Sequence, residues 1–155
     1  MTTVSPQHPA NPSYERILVA TDGSDDATAA VAQAAGLAAA YDATLYIVHV
    51  VDTELFDPAV AAQAVFRSLE RYGESAVQAA AERATAAGVE TVRTSIERGD
   101  PHRAILDYAD AHDVDLVVLG RRGWSGLERS LVGSVAERVC RLADVPVLTV
   151  RATAD

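Results

Sequence analysis

Lysine is missing from this sequence, and all 13 of its basic residues are arginine. The absence excludes a Walker-type phosphate loop, whose lysine reaches the phosphates, and a Schiff-base enzyme, whose lysine amine attacks a carbonyl. Two explanations of the bias remain open. A GC-rich genome favours arginine and alanine codons. A salt-rich cytoplasm favours a lysine-free surface of carboxylates, which predicts an origin in a halophilic archaeon.

Cysteine and long apolar runs are also scarce. The one cysteine, Cys140, excludes an intramolecular disulfide, and its helical spacing with Val139 and Leu142 predicts a small buried side chain. No apolar run approaches the roughly 18 residues of a membrane span. Residues 1–14 lack the basic start and the apolar segment of a secretory signal, and they are predicted to form a flexible tail. We therefore expect a cytoplasmic protein.

The charge and the composition narrow the class further. A net charge of -9 disfavours nucleic acid and anionic membranes as partners. A chain of 155 residues fits one domain, and 49% of its residues are hydrophobic while only 5% are aromatic. These values are typical of a globular protein with an aliphatic core.

Strand-like and helix-like segments alternate after the tail, which predicts an α/β fold with one open, doubly wound, parallel five-stranded sheet and helices on both faces. One domain is expected over residues 15–152. Asp100 is the predicted N-cap of the third helix, with Pro101 at its first position. Strands are predicted at 16–21, 43–51, 89–97, 114–120 and 145–150, and helices at 24–41, at about 58–87, from Asp100 onward and at 134–143.

The loop after the fourth strand, residues 120–134, reads GRRGWSGLERSLVGS. Glycines reach φ > 0 and let backbone N–H groups approach a ligand, and successive N–H groups form an anion-binding nest. Gly133 and Ser134 then place a helix N-terminus beside the nest, which favours an anion again. These features predict a polyphosphate site. A Gly-rich surface loop with a merely solvated arginine pair remains open from the residues alone.

The spacing Gly120-x2-Gly123-x9-Gly133-Ser134 resembles the nucleotide-binding pattern of the universal stress protein family. The flanking segments RILVATDGS, HVVD and VDLVVLGRRG occur in the family's order, and the resemblance covers about residues 14–150. It implies a Rossmann-like fold, similar to the adenine nucleotide alpha hydrolases, and an ATP-binding regulatory module of the stress response. It also implies a homodimer.

The resemblance implies a set of nucleotide contacts at strand ends and at the start of the last helix. By this resemblance Asp22 meets the ribose and adenine region, the Val50 backbone hydrogen-bonds adenine, and Gly120 meets the ribose. Gly123, Gly133, Ser134 and Val135 would hold the phosphates. Ala136 departs from the family's frequent Ser or Thr, which puts one phosphate contact in doubt. The implied contacts are Ala20, Thr21, Asp22, Val50, Leu119, Gly120, Arg122, Gly123, Gly133, Ser134 and Val135.

Structural roles remain open for some polar residues. Asp22 is also placed to help cap the first helix, and His49 is interpreted as an ordinary strand-end residue. His102 and His112 flank a helix and are predicted to be solvated. No set of His, Cys and carboxylate residues has metal-ligand spacing, so no protein-bound metal is predicted. Mg²⁺ is expected only as the counterion of ATP.

Three functions remain in competition. The leading prediction is an ATP-binding regulatory module with no catalytic residue. The alternatives are an ATP-hydrolysing or nucleotidyl-transfer enzyme on the same fold, and a dimeric interaction module that binds no nucleotide. The final strand, VPVLTV, lacks charge, so it is predicted to pair antiparallel with a second copy, with Pro146 restricting the register.

Overall fold

The computed structural model describes residues 13–53, 63–122 and 133–153. Within these ranges five strands and four helices alternate in the predicted order. Their bounds are β1 Arg16–Ala20, α1 Asp25–Tyr41, β2 Thr44–Asp52, α2 Gln63–Ala86, β3 Val92–Gly99, α3 Pro101–Ala111, β4 Leu116–Gly120, α4 Ser134–Leu142 and β5 Val147–Val150.

All five strands pair in parallel, in the order β3-β2-β1-β4-β5. Side chains of β1 alternate between the two faces of the sheet, because successive residues of a strand point to opposite sides. Ile17 and Val19 join the core under α1 and α2, whereas Leu18 joins the core under α3 and α4. The predicted α/β fold, with one parallel five-stranded sheet and helices on both faces, is confirmed.

Helix ends follow the predicted capping residues in part. The Ser24 side chain accepts a hydrogen bond from the N–H of Ala27 and so caps α1. Asp100 holds the N-cap position of α3, but its carboxylate makes no capping hydrogen bond. The Oδ1 of Asp100 lies 2.9 Å from the Nδ1 of His102 instead.

Several predicted boundaries were wrong. The third strand begins at Val92 rather than 89, because the N–H of Val89 closes the end of α2 by donating to the carbonyl of Ala84 after the φ +99 turn at Gly88. It continues to Gly99. The last strand begins at Val147 rather than 145. Residues 58–62 of the predicted second helix lie outside the described residues, as do residues 1–12 of the predicted tail.

Three side chains differ from their predicted environments. Cys140 is exposed rather than buried, because α4 turns Ala136 and Val139 toward the sheet. His112 is half-buried and stacks on the ring of Tyr108 at 3.9 Å. His102, with a side chain 12% exposed, is held by the carboxylate of Asp100. The prediction that both histidines are solvated was therefore wrong.

Across the described parts of the chain, no helix combines the length and the apolar character that crossing a membrane requires.

Candidate functional site

A cavity of about 400 Å³ opens at the carboxyl edge of the sheet, where the strand order reverses between β1 and β4. Ligands of open α/β sheets bind at this kind of switch point. The cavity brings together every predicted contact that the structure describes, and Gly123 lies outside the described residues. Those lining residues are Ala20, Thr21, Asp22, Val50, Leu119, Gly120, Arg122, Gly133, Ser134 and Val135.

The turn after β1 forms one wall of the cavity. The hydroxyl of Thr21 accepts a hydrogen bond from the N–H of Gly23 at 3.1 Å. The Oδ1 of Asp22 accepts another from the N–H of Ser24 at 2.9 Å. Gly23 has φ +79, a conformation that favours glycine. Asp22 therefore stabilises this turn and lines the cavity at the same time, so its two predicted roles are compatible.

His49 and α2 support the same turn from beneath. The Nδ1 of His49 lies 2.8 Å from the carbonyl oxygen of Thr21. Because a carbonyl only accepts, this nitrogen carries the proton. The Tyr72 hydroxyl donates to the carbonyl oxygen of Asp22, and the Tyr72 ring meets the His49 ring edge-on at 5.9 Å. His49 is thus a buried support of the site, and its interpretation as an ordinary strand-end residue was incomplete.

The N-terminus of α4 forms the opposite wall. Gly133 is the N-cap, and its N–H donates to the carbonyl oxygen of Arg121 at 2.7 Å. The next three N–H groups, those of Ser134, Val135 and Ala136, have no intrahelical acceptor because they lie in the first turn. All three residues line the cavity. This wall therefore presents backbone donors and the positive end of a helix dipole to any ligand.

Glycine is required at position 120 for a reason that differs from the prediction. Neither Gly120 nor Gly133 has positive φ, and Gly133 lies at φ -60. A Cβ at Gly120 would lie 2.7 Å from the backbone nitrogen of Ala27 and 2.8 Å from the carbonyl carbon of Asp26. Glycine lets the end of β4 pack directly against the first turn of α1. The φ > 0 explanation was wrong for these two glycines.

Charges of both signs line the cavity together with apolar residues. The arginines are Arg121 and Arg122, the carboxylates are Asp22 and Asp52, and Val50, Ile105 and Leu119 belong to the same lining. The Nε of Arg122 lies 3.8 Å from the Oδ2 of Asp26, so part of its charge is balanced inside the protein. The arrangement can hold a ligand that is apolar and flat at one end and anionic at the other. No group of three or more His, Cys, Asp or Glu among the described residues is placed to hold a metal ion.

Sequence reasoning missed several residues that shape this site. Pro101 and Ile105 line the cavity from the start of α3, a segment for which the sequence predicted only a helix start at Asp100 and Pro101. Asp26 contacts Arg122, which is 96 positions away, and Tyr72 contacts Asp22, which is 50 positions away. No local pattern reports partners at such separations, so these contacts required the fold.

The cavity and the topology define a class, α/β proteins with a ligand site at the switch point of a parallel sheet. The sequence profile described as the universal stress protein family matches residues 13–151. A universal stress protein of Methanocaldococcus jannaschii is 37% identical over 141 residues, which are 89% of this chain and 82% of that protein. The chain therefore belongs to the universal stress protein family.

Solved structures agree with the assignment. The universal stress protein UspA from Lactobacillus plantarum is 32% identical, with a TM-score of 0.80, and the match covers 91% of this chain and 100% of that one. A universal stress protein crystallised in complex with cAMP is 30% identical, with a TM-score of 0.70, over 92% of this chain and 100% of that one. Adenine nucleotides are therefore ligands of at least one solved relative.

Proposed function

We propose that this chain binds an adenine nucleotide, with ATP as the physiological ligand, and that it acts as a small regulatory module of the stress response in the cytoplasm. One observation carries the proposal. The helix α4 begins at the cavity, and the three residues of its first turn, whose N–H groups have no intrahelical acceptor, line it together with apolar residues of the sheet and of α3. Binding would shift a conformational or partner equilibrium, and no catalytic residue is assigned.

The phosphate end of the ligand lies against α4 in this proposal. Ser134, Val135 and Ala136 supply N–H groups, and a hydrogen bond to a charged group contributes about 1.5–3 kcal/mol. Ala136 has no side-chain hydroxyl, but its N–H remains a donor. Because the chain has no lysine, Mg²⁺ is the expected counterion of the triphosphate. The metal would travel with the nucleotide rather than occupy a protein site.

The adenine end of the ligand lies among β1, β2, β4 and α3 in this proposal. Ala20, Ile105 and Leu119 are apolar residues of the cavity lining and suit the faces of a purine. The backbone of Val50 supplies the groups that read the base edge, and Asp22 is placed for the ribose. The fit agrees with the cAMP-bound relative, whose ligand shares the adenine and the ribose.

Calorimetry with purified, nucleotide-free protein tests the proposal. We expect ATP with Mg²⁺ to bind, and we expect Gly133→Val to weaken it at least tenfold, about 1.4 kcal/mol. Gly133 has φ -60 and ψ 154, so the variant keeps an allowed backbone, and it adds a branched side chain to a residue that lines the cavity. Gly36→Ala is the control, because Gly36 lies on α1 with nothing within 4 Å of an added Cβ. Absence of ATP binding to the unmodified chain would refute the function.

We also propose that the chain forms a homodimer through β5. β5 and β3 are the two edges of the sheet. β3 carries Arg93, Glu97 and Arg98, whereas Val147–Val150 carries no charge and Leu148 is 37% exposed. Edges without charged residues require a cover, and antiparallel pairing with a second copy about a two-fold axis supplies one.

A further inference from the structure

Asp26 is a buried carboxylate in the first turn of α1, and the residue is 8% exposed. Its Oδ2 accepts a hydrogen bond from the N–H of Arg122 at 3.1 Å. Its Oδ1 accepts another from the N–H of Ala152 at 2.8 Å. A single side chain therefore holds the backbone of two segments that are far apart in the sequence.

The two segments are the continuations of neighbouring strands. Gly120 and Val150 are the last paired residues of β4 and β5, and the N–H of Arg121 donates to the carbonyl oxygen of Val150 at 2.7 Å. Arg122 and Ala152 each lie two positions further on. The two hydrogen bonds of Asp26 thus follow directly after the last backbone hydrogen bond between β4 and β5. They fix the direction in which both segments leave the sheet.

We propose that Asp26 is a positioning residue that couples the nucleotide cavity to the chain leaving the edge strand β5. This inference rests on the proposed function. Arg122 lines the cavity, so a bound nucleotide that contacts Arg122 favours the geometry in which Asp26 holds both N–H groups. By thermodynamic reciprocity, anchoring Ala152 raises the affinity for the nucleotide by the same factor.

The chemistry of the side chain supplies a sharp variant. A carboxylate offers one oxygen to each N–H group, whereas an asparagine amide offers one acceptor oxygen and a donor NH₂. Asp26→Asn can therefore keep the contact with Arg122 or the contact with Ala152, but not both. Asp25→Asn is the matched control, because Asp25 is the exposed neighbour in the same helical turn and loses the same charge.

Hydrogen exchange of the nucleotide-free proteins comes first, because it does not depend on the proposed function. We expect Asp26→Asn to speed exchange of the Arg122 or the Ala152 amide by at least roughly fivefold, as expected for loss of one charge-assisted hydrogen bond. Asp25→Asn should leave both amides unchanged. Unchanged exchange in Asp26→Asn would overturn the positioning role.

The coupling is then measured with ATP and Mg²⁺. In the unmodified chain, ATP should slow exchange of the Ala152 amide at least threefold relative to the Asp115 amide, which donates to the carbonyl oxygen of Arg16 at the amino ends of the central strands β1 and β4. Asp26→Asn should abolish this slowing and weaken ATP binding roughly fivefold or more. No slowing at Ala152 in the unmodified chain overturns the coupling, even where Asp26→Asn does not fold. Failure of ATP to bind at all refutes the proposed function instead.

Discussion

Two helical glycines of this chain predict opposite responses to the same substitution. Gly73 lies in α2, and a Cβ there would come within 2.3 Å of the Cδ2 of His49 and 2.9 Å of its Cγ. The ring has little room to retreat, because its Nδ1 is bonded to the carbonyl of Thr21 and its edge meets Tyr72. Gly73→Ala should therefore push His49 and loosen the turn after β1.

The magnitude follows from two opposing effects. Alanine in a helix interior is about 0.5–1 kcal/mol better than glycine, and overpacking costs about 1–3 kcal/mol. With a contact at 2.3 Å, we expect Gly73→Ala to lose about 1–2 kcal/mol in net stability. Gly36→Ala on α1 meets nothing within 4 Å, so it should gain about 0.5–1 kcal/mol. A change of 1 kcal/mol shifts Tm by about 2–4 °C in a chain of this size.

Thermal and denaturant unfolding of both variants measure the difference in sign. A double-mutant cycle assigns its cause, because in a His49→Ala background the added methyl group enters vacated space. We expect Gly73→Ala to be neutral or stabilising in that background, with a coupling of about 1–3 kcal/mol. Equal stabilisation by Gly73→Ala and Gly36→Ala would refute the packing argument, and so would a cycle with no coupling. ATP affinity should fall with Gly73→Ala alone.

Further predictions concern the ligand, the edge strand and one tyrosine. In calorimetry, Asp22→Ala should weaken ATP binding but leave binding of free triphosphate nearly unchanged, and equal losses of affinity would assign Asp22 to the turn alone. In a separate test, ATP affinity that is unchanged by EDTA would contradict a role for Mg²⁺. Charges introduced at both Val147 and Thr149 should give monomers by light scattering, whereas an intact dimer would contradict the β5 interface. Burial, aided by the charge of Glu97, raises the pKa of Tyr108 above its usual 10.0. The neutral phenol therefore stabilises the fold fully below pH 10, and this contribution to stability is lost as pH rises through the raised pKa. In unfolding curves recorded above pH 10, Tyr108→Phe should remove this loss of stability.

The order of the strands and helices could be predicted because buried parallel strands consist of short runs of apolar residues. Residues 16–20 and 116–120 are nearly all apolar, and both are buried strands in the centre of the sheet. The edge strand β3 was placed less well, because its exposed Arg93 and Thr94 resemble a loop while Val89 before it is buried. A run of apolar residues indicates burial. In an edge strand some residues are exposed, so burial and strand formation no longer coincide.

For the candidate site, the residues that line the cavity could be predicted from the sequence better than the structural reasons for their presence there. The family resemblance implied a set of residues, and the fold brings those that the structure describes to one cavity. The glycine pattern of the loop gave the wrong reason for Gly120, whose missing Cβ allows contact with α1 and does not serve a positive φ. That reason depends on the distance between two elements that are far apart in the chain, and no spacing within the loop contains this information.

The proposed function requires a lysine-free chain to hold an anionic ligand, and the buried polar residues bear on how the backbone around the cavity is fixed. Among the described residues, the buried polar and charged ones are Thr21, Ser24, Asp26 and His49, and all of them lie around the turn after β1. Each makes a hydrogen bond with the backbone. A site that relies on backbone donors cannot adjust by rotating side chains, so its donors must be held where the ligand needs them. Buried polar groups fix backbone positions more strictly than apolar packing does, because each one left unpaired is costly. Their concentration at this edge is therefore what a preorganised site built from main-chain groups requires.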